Sequence, residues 1–397
     1  YYRILEAGYL NSQATFVDMR LAAIQAASEL YADDEVSAVT GAFDTVGIVG
    51  SEGSEAPQDL EPVEGVDWIV AVNNDVDDHS LLKINPETAD VDTITHTQVF
   101  TGTGKPFTID NAGNILFFIS QSNDIVGINL NNQVEQNITA GTDLSGIWNS
   151  ISLSPDGSKF AATTTFEDST IYIFDLTGAG NSSIHLYSPT TVEGINSNVV
   201  VYADALDFDP TSKYLIYDAL NRVPQEDETQ TEEGETGTDL EYWDVAILDI
   251  ENNIIFSVFG ALPSGISMGN PSFSQLNGNY FVVDYIDQNS GTVWILGVDR
   301  YEGQIGWIEN NGSGASFPNY SPDDSYLIIQ RFESETPTLR MIAMTDKITG
   351  DGDSHLFTEN KMLASWFVNQ GETNSIENNS LIAENFILGN NYPNPFN

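Results

Sequence analysis

The stretch Trp148–Thr177, WNSISLSPDGSKFAATTTFEDSTIYIFDLT, decides the fold. Leu153-Ser-Pro-Asp-Gly157 is turn chemistry, with Pro155 fixing φ and Gly157 free to take a positive one. Phe160–Thr165 is short, small and β-branched, which suits a strand packed on both faces. Glu167-Asp-Ser169 is a second polar turn, and Ile171-Tyr-Ile-Phe174 a further strand stopped by Asp175 and Gly178. Strand, S-P-D-G turn, strand, turn, strand is most of one β-propeller blade.

Working outward, the same pattern recurs. Phe107-Thr-Ile-Asp-Asn-Ala-Gly113 precedes an apolar run at Ile115–Ser120, and Leu206-Asp-Phe-Asp-Pro-Thr-Ser212 one at Tyr214–Asp218. Ser272-Phe-Ser-Gln-Leu-Asn-Gly278 precedes Tyr280–Tyr285, and Asn319-Tyr-Ser-Pro-Asp-Asp-Ser325 precedes Tyr326–Arg331. Each pair is followed by another strand-like run, and the copies lie about 44 to 65 residues apart, the period of propeller blades. Both ends of the array are incomplete and complement each other. Leu363–Val368 reads as a first strand without its blade, while Asp67–Val72, His79–Asn85 and Val91–Thr95 read as later strands without a first. Joined, they close the ring and leave no open sheet edge. The expectation is an all-β, six-bladed propeller over residues 67–371. A strand-like piece from Val36 to Val49 leaves seven blades as the alternative.

The repeat resembles the TolB-like, WD40-related propellers. Ser154-Pro155-Asp156-Gly157 with Ile171-Tyr172 matches that family's pattern in full, and Tyr320-Ser321-Pro322-Asp323 matches it except that Asp324 replaces Gly. Phe208-Asp209-Pro210 is a weaker copy. The resemblance implies a fold and is nearly silent on function.

Outside the ring, residues 1–35 form an N-terminal segment whose 11–32 stretch predicts an amphipathic helix. Phe16, Met19, Ala23, Ala26 and Leu30 recur at helical spacing, and Asn11 or Ser12 is placed to cap it. Such a helix either lies on the domain that follows or grips a neighbouring subunit. Residues 36–66 hold the strand-like piece and a Gly/Ser/Glu/Pro-rich linker, Gly50–Gly65. Pro224–Leu240 is a low-complexity acidic insertion, expected as a solvated loop between two strands of one blade.

Of 397 residues, 41% are apolar and 11% aromatic, enough for a core, so a wholly disordered chain is excluded. Twelve Lys+Arg stand against 59 Asp+Glu, a formal charge of −47. That surface repels nucleic acid and anionic membranes and suits a saline or Ca²⁺-rich medium. There is no cysteine, so disulfides, thiolate metal sites and thiol nucleophiles are excluded. No apolar run approaches the roughly 18 residues of a membrane-spanning helix. Because the chain starts at Tyr1-Tyr2-Arg3 rather than Met, a removed leader or a fragment is expected.

After a 372–385 linker comes a 386–397 tail containing Asn391-Tyr392-Pro393-Asn394-Pro395-Phe396-Asn397. This string resembles the opening of the C-terminal sorting domain of the type IX secretion system. The resemblance implies the type IX machinery as a partner and an extracellular or outer-surface address in a Bacteroidetes-like bacterium.

Chemistry is sparse. His79, His96, His185 and His355 fall in different segments with no paired spacing, and no Gly-x-Ser-x-Gly elbow occurs. Calcium is the cofactor to consider, through Asp346, Asp351 and Asp353 on one Gly-containing loop and Asp75, Asp77 and Asp78 on another. Trp148, Trp243, Trp307, Trp366, Tyr202 and Tyr320 either line a sugar or peptide site or pack between blades. The expected function is a secreted, non-enzymatic interaction module. Its sharper form is self-assembly with other copies into an extracellular filament or layer, through Phe16, Met19, Leu30 and the tail. The alternatives are a carbohydrate- or peptide-binding propeller and a polysaccharide-degrading enzyme using the central tunnel.

Overall fold

The computed structural model of the chain describes every residue except 1, 8, 11–13, 15, 46–57, 179, 188–190, 193–194, 197–198, 224–239, 260–261, 334–335 and 371–397. At Leu153–Gly157 the chain turns as its residues require. The Ser154 hydroxyl donates to Asp156 at 2.7 Å and accepts the Lys159 N–H at 3.1 Å, while Gly157 sits at φ +67°. Ser321, Asp323 and Tyr326 repeat that geometry, with Asp324 at φ +59° in the place of the glycine. Aspartate tolerates this left-handed position better than most residues with a side chain.

Three helices come first: α1 (Tyr2–Ala7), α2 (Phe16–Leu30) and α3 (Asp33–Thr45). The ring begins with β1 (Val66–Asn73), β2 (Leu81–Ile84) and β3 (Val91–Thr95). A first full blade follows, β4 (Phe107–Ile109), β5 (Ile115–Ile119), β6 (Ile125–Asn129) and β7 (Val134–Asn137). The second is β8 (Trp148–Leu153), β9 (Lys159–Thr164), β10 (Thr170–Asp175) and β11 (Ser182–His185). A two-stranded hairpin, β12 (Thr191–Val192) with β13 (Ile195–Asn196), precedes the third blade. That blade is β14 (Val200–Phe208), β15 (Tyr214–Val223), β16 (Leu240–Asp249) and β17 (Ile254–Ser257). The fourth is β18 (Ile266–Phe273), β19 (Tyr280–Asp287), β20 (Thr292–Asp299) and β21 (Gln304–Gly312). The fifth is β22 (Asn319–Tyr320), β23 (Tyr326–Glu333), β24 (Thr336–Ala343) and β25 (His355–Glu359). Last comes β26 (Lys361–Asn369), which joins β1, β2 and β3 as the sixth four-stranded sheet.

This is a six-bladed propeller closed by a clasp. β26 pairs antiparallel with β1 from Val66↔Asn369 to Asn73↔Lys361, so the sixth blade is built from both ends of the ring. The core lies between blades, because the inner strands of each blade are buried on both faces while the outermost strands stay largely exposed. On β9, Phe160 and Ala162 pack with Trp148, Tyr172 and Phe174, while the intervening Ala161 packs with Leu206 and Tyr217 of the next blade. Phe160 and Phe174 stack at 4.6 Å, and Trp148 meets Phe174 edge-on at 5.5 Å. The acidic insertion falls between β15 and β16, which pair through Val223↔Leu240 at its base. Most of it lies outside the described residues.

Residues 36–45 correct the sequence reading. They form helix rather than strand, because α3 takes Asp33–Thr45, and the ring has six blades, not seven; residues 46–49 lie outside the described residues. Val36, Val39, Thr40 and Phe43 form a half-buried stripe at helical spacing. Thr40 and Thr45 donate their hydroxyls to the carbonyls of Val36 and Gly41, so these β-formers are accommodated in helical backbone. The stripe of α2 also differs from the one read in sequence. Ala22, Ala26 and Ala27 are buried and Met19 packs beside Ile4, but Phe16 is 79% and Leu30 55% exposed. Small residues let α1 and α2 approach closely, which leaves the large side chains at the rim. The cluster holding the helices together contains no residue of the ring.

Candidate functional site

The innermost strand of each blade (β4, β8, β14, β18, β22 and β26) faces the axis, and a cavity of about 160 Å³ lies there. Phe107, Leu153, Phe208, Phe317 and Phe367 contribute to its wall, and Lys105 and Asp207 bring charge to it. Leu60, Glu61 and Val63 line it from the turn side. These residues belong to the segment read as a linker, and their placement corrects that reading for 58–65. The Leu60 N–H donates to the Leu276 carbonyl at 2.8 Å, and Asn277 Nδ2 donates to Asp59 at 3.0 Å. Lys347 Nζ reaches Asp59 at 2.9 Å and Asp324 at 2.8 Å. The chain therefore crosses the channel mouth as a pinned strap before it enters β1.

Lys347 is mostly buried, and burial disfavours its charge. The hydrogen bonds and charges of Asp324 and Asp59 outweigh that and raise its pKa above the ordinary lysine value. Asp324 also accepts from Ser274 Oγ at 2.6 Å and the Gln275 N–H at 2.8 Å, so one left-handed turn residue joins the fourth and fifth blades to the strap. Asp324→Asn keeps the backbone preference but removes the buried charge. It is expected to destabilise the fold by about 2 kcal/mol in urea unfolding, since a partly buried ammonium loses its better partner.

Charges that the sequence reading did not single out are buried in the inner part of the ring, and of these Lys105 and Asp207 reach the cavity wall. Lys105 Nζ crosses the channel and donates to the Pro271 carbonyl at 2.7 Å. Asp207 on β14 accepts from Ser272 Oγ at 2.9 Å and the Phe273 N–H at 2.8 Å, both on β18. Asp218 on β15 accepts the Ala205 N–H at 2.7 Å and the Asn270 N–H at 2.6 Å. Asp284 on β19 accepts from Asn270 Nδ2 at 2.9 Å and the Ser316 N–H at 2.8 Å. Asp204 accepts from Asn149 Nδ2 of the second blade at 3.0 Å. A signal was present in the sequence: Asp204, Asp218 and Asp284 each interrupt an apolar strand, in VVYADAL, YLIYDAL and FVVDYI. A carboxylate in a strand buried on both faces must find partners or a proton.

The residues singled out in the sequence are dispersed. Asp75 and Asp78 come together around Asn73, whose amide donates to them at 3.0 and 3.1 Å, while the Asp77 carbonyl accepts from Gln98 at 2.6 Å. Asp346 accepts the Ile348 N–H at 2.8 Å, and the Asp351 N–H donates to Ala343 at 2.7 Å. Asp353 is exposed nearby. Among the described residues, no three His, Asp or Glu side chains converge as a metal-holding group. Of the aromatics, Trp148, Tyr320 and Trp366 are core residues. Tyr202 and Trp243 meet edge-on at 5.4 Å, half-buried. Trp307 is 56% exposed on β21, packed edge-on against Tyr285 at 5.2 Å and Trp294 at 5.6 Å. Asn391–Phe396 lie outside the described residues, as do Asn11 and Ser12.

Comparison with solved structures agrees with the architecture. TolB from Acinetobacter baumannii superposes with a TM-score of 0.54 at 14% identity, covering 76% of this chain and 66% of that one. The chain thus spans slightly under two thirds of that TolB. A putative TolB from Agrobacterium tumefaciens gives 0.49 at 14% identity, over 75% of this chain and 90% of that one. At this identity the likeness shows a TolB-like six-bladed fold and nothing about activity. A family model described as the alpha-helical domain of thermolysin metallopeptidase matches residues 1–48, the segment holding all three helices. No curated protein matches the chain.

Proposed function

We propose that the propeller is a non-catalytic interaction module, joined through its strap to a helical unit of the thermolysin-metallopeptidase kind, and that it holds a polymeric target at the cell surface or outside the cell. The observation that carries this reading is the strap. Asp59–Val63 fixes the chain that leaves the helices across the channel mouth, so the two units are tethered at a defined place. The match of residues 1–48 to the helical domain of a peptidase supports a proteinaceous target. The ring itself offers a cavity, a charged floor and exposed aromatic surface, with no convergent metal ligands among the described residues. Export by the type IX machinery rests on the Asn391–Asn397 string, and a saline habitat on the −47 charge.

The test is a binding and turnover assay of this chain on peptide and glycan arrays. Retention on peptide without cleavage is the expected result. Turnover that disappears in Lys105→Met or Asp207→Asn would make the channel an active site and sink the reading. Retention on glycans alone would favour a carbohydrate-binding module. For the address, a strain lacking type IX secretion should retain the chain inside the outer membrane. Tyr2, Leu5 and Phe16, each 79% exposed on the helices, favour a second reading, assembly through the helical unit. Concentration-dependent oligomers abolished by Phe16→Glu would support it.

A further inference from the structure

We propose that the carboxylates gathered around Lys105 form a proton-operated clamp, drawing the innermost strands of the ring together when the cluster holds protons and slackening them when it releases them. The geometry is that of a clamp because most members are fixed in one blade and bonded to another. Asp204 ties the third blade to the second through Asn149, and Asp207 and Asp218 tie the third to the fourth through Phe273 and Asn270. Asp284 ties the fourth to the segment entering the fifth through Ser316, and Lys105 reaches from the edge of the first blade to Pro271 in the fourth.

The charge balance makes the clamp sensitive to pH. With every member ionised, Asp207, Asp218 and Asp284 would share one ammonium, Lys105, and Asp204 would repel Asp218, in a site largely removed from water. Burial first, then the neighbouring Asp204, pushes Asp218 up to about 7. Burial pushes Asp204 and Asp284 to about 6, against the hydrogen bonds they accept. Burial likewise raises Asp207, with Lys105 opposing, and lowers Lys105, with Asp207, Asp218 and Asp284 opposing. The other titratable groups acting on the cluster are Asp209, through Asp207, and Tyr202, which feels Asp204 and Asp218. None of the four histidines is among the causes of these shifts.

The sign follows from linkage. An unfolded Asp titrates near about 4, so between that value and the raised folded values the native chain binds more protons than the unfolded one. Stability is therefore greatest on the acid side of this window and falls as pH rises through the raised folded values, about 6 to about 7, the loss being complete only near about pH 8. This is the reverse of the usual salt-bridged carboxylate.

The test is urea unfolding of the whole chain at pH 5, 6, 7 and 8 in about 1 M salt, which shortens the screening length to about 3 Å and mutes surface repulsion. The unfolding constant is expected to rise by roughly three to four orders of magnitude from pH 5 to pH 8, and by roughly a hundredfold or less in Asp218→Asn. A flat profile, or an undiminished slope in both Asp218→Asn and Asp284→Asn, overturns the proposal. Should these variants fail to fold, infrared difference spectra of the native chain decide. A protonated-carboxyl C=O band present at pH 5 and bleached by pH 8 supports the clamp, and its absence overturns it.

Discussion

A chain that ends at Asn360 is expected not to fold as a ring. It lacks β26, and with it the partner of β1 along Val66–Asn73. It also lacks the buried side chains of Leu363 and Phe367, which pack against the first blade, of Trp366, which packs against the fifth, and of Val368. Burying a large apolar side chain contributes about 1.5–3 kcal/mol, so four of them approach the whole stability of a typical domain, about 5–15 kcal/mol. The inner edge of β1, with Ile69 to Val72 fully buried in the intact ring, would face the channel unpaired. Scanning calorimetry and near-ultraviolet circular dichroism check this. Loss of the cooperative transition is the expected result, and a transition within a few degrees of the intact chain would contradict it.

The second large effect belongs to Gly306→Ala. Gly297 on β20 and Gly306 on β21 are register partners, and together they leave a flat place on the fourth blade. The Ile348 backbone from the fifth blade lies in it. A Cβ added at Gly306 would stand 2.0 Å from the Ile348 carbonyl oxygen, and one at Gly297 2.4 Å from its Cα. The obstacle is backbone and cannot rotate aside. The loop carrying it is fixed by Lys347 to Asp324 and by the Tyr320 hydroxyl to the Lys347 carbonyl. The expected loss is about 3 kcal/mol, the upper end of ordinary overpacking, read as a lower urea midpoint with an unchanged slope. A loss below about 1 kcal/mol would mean that the two blades separate there at little cost. The same contact explains the Asp346–Asp353 loop, whose inner residues form a wedge between blades, a role its carboxylates did not advertise.

The ring was legible because its repeat is local chemistry. Ser154, Pro155 and Gly157 build a turn from their own side chains and backbone, and the clasp between Leu363–Val368 and Asp67–Val72 followed from counting strands. What misled was equally local. Val36, Val39 and Thr40 favour strands by propensity, yet their spacing fits a helix, and periodicity prevailed. The strap was hidden because Asp59 and Leu60 find Lys347 and Leu276 only after the blades have closed. The charged cluster was half visible, since an Asp inside YLIYDAL signals a buried carboxylate. Its convergence with Lys105, more than a hundred residues upstream, depends on ring geometry that no window of sequence contains.

The pairing of β1 with β26 also fixes how the ring answers to tension. Val66, where the chain enters, is opposite Asn369, near where it leaves. Force applied to the two flanking segments therefore pulls at one end of an antiparallel pair and peels it rung by rung, the weak direction for a ladder. On the entering side, the bonds of Asp59 to Lys347 and of Leu60 to Leu276 meet that force first and divert it into the fourth and fifth blades. Under such tension the ring would yield by peeling β26 from β1, with the strap delaying the share of the force that enters at Asp59.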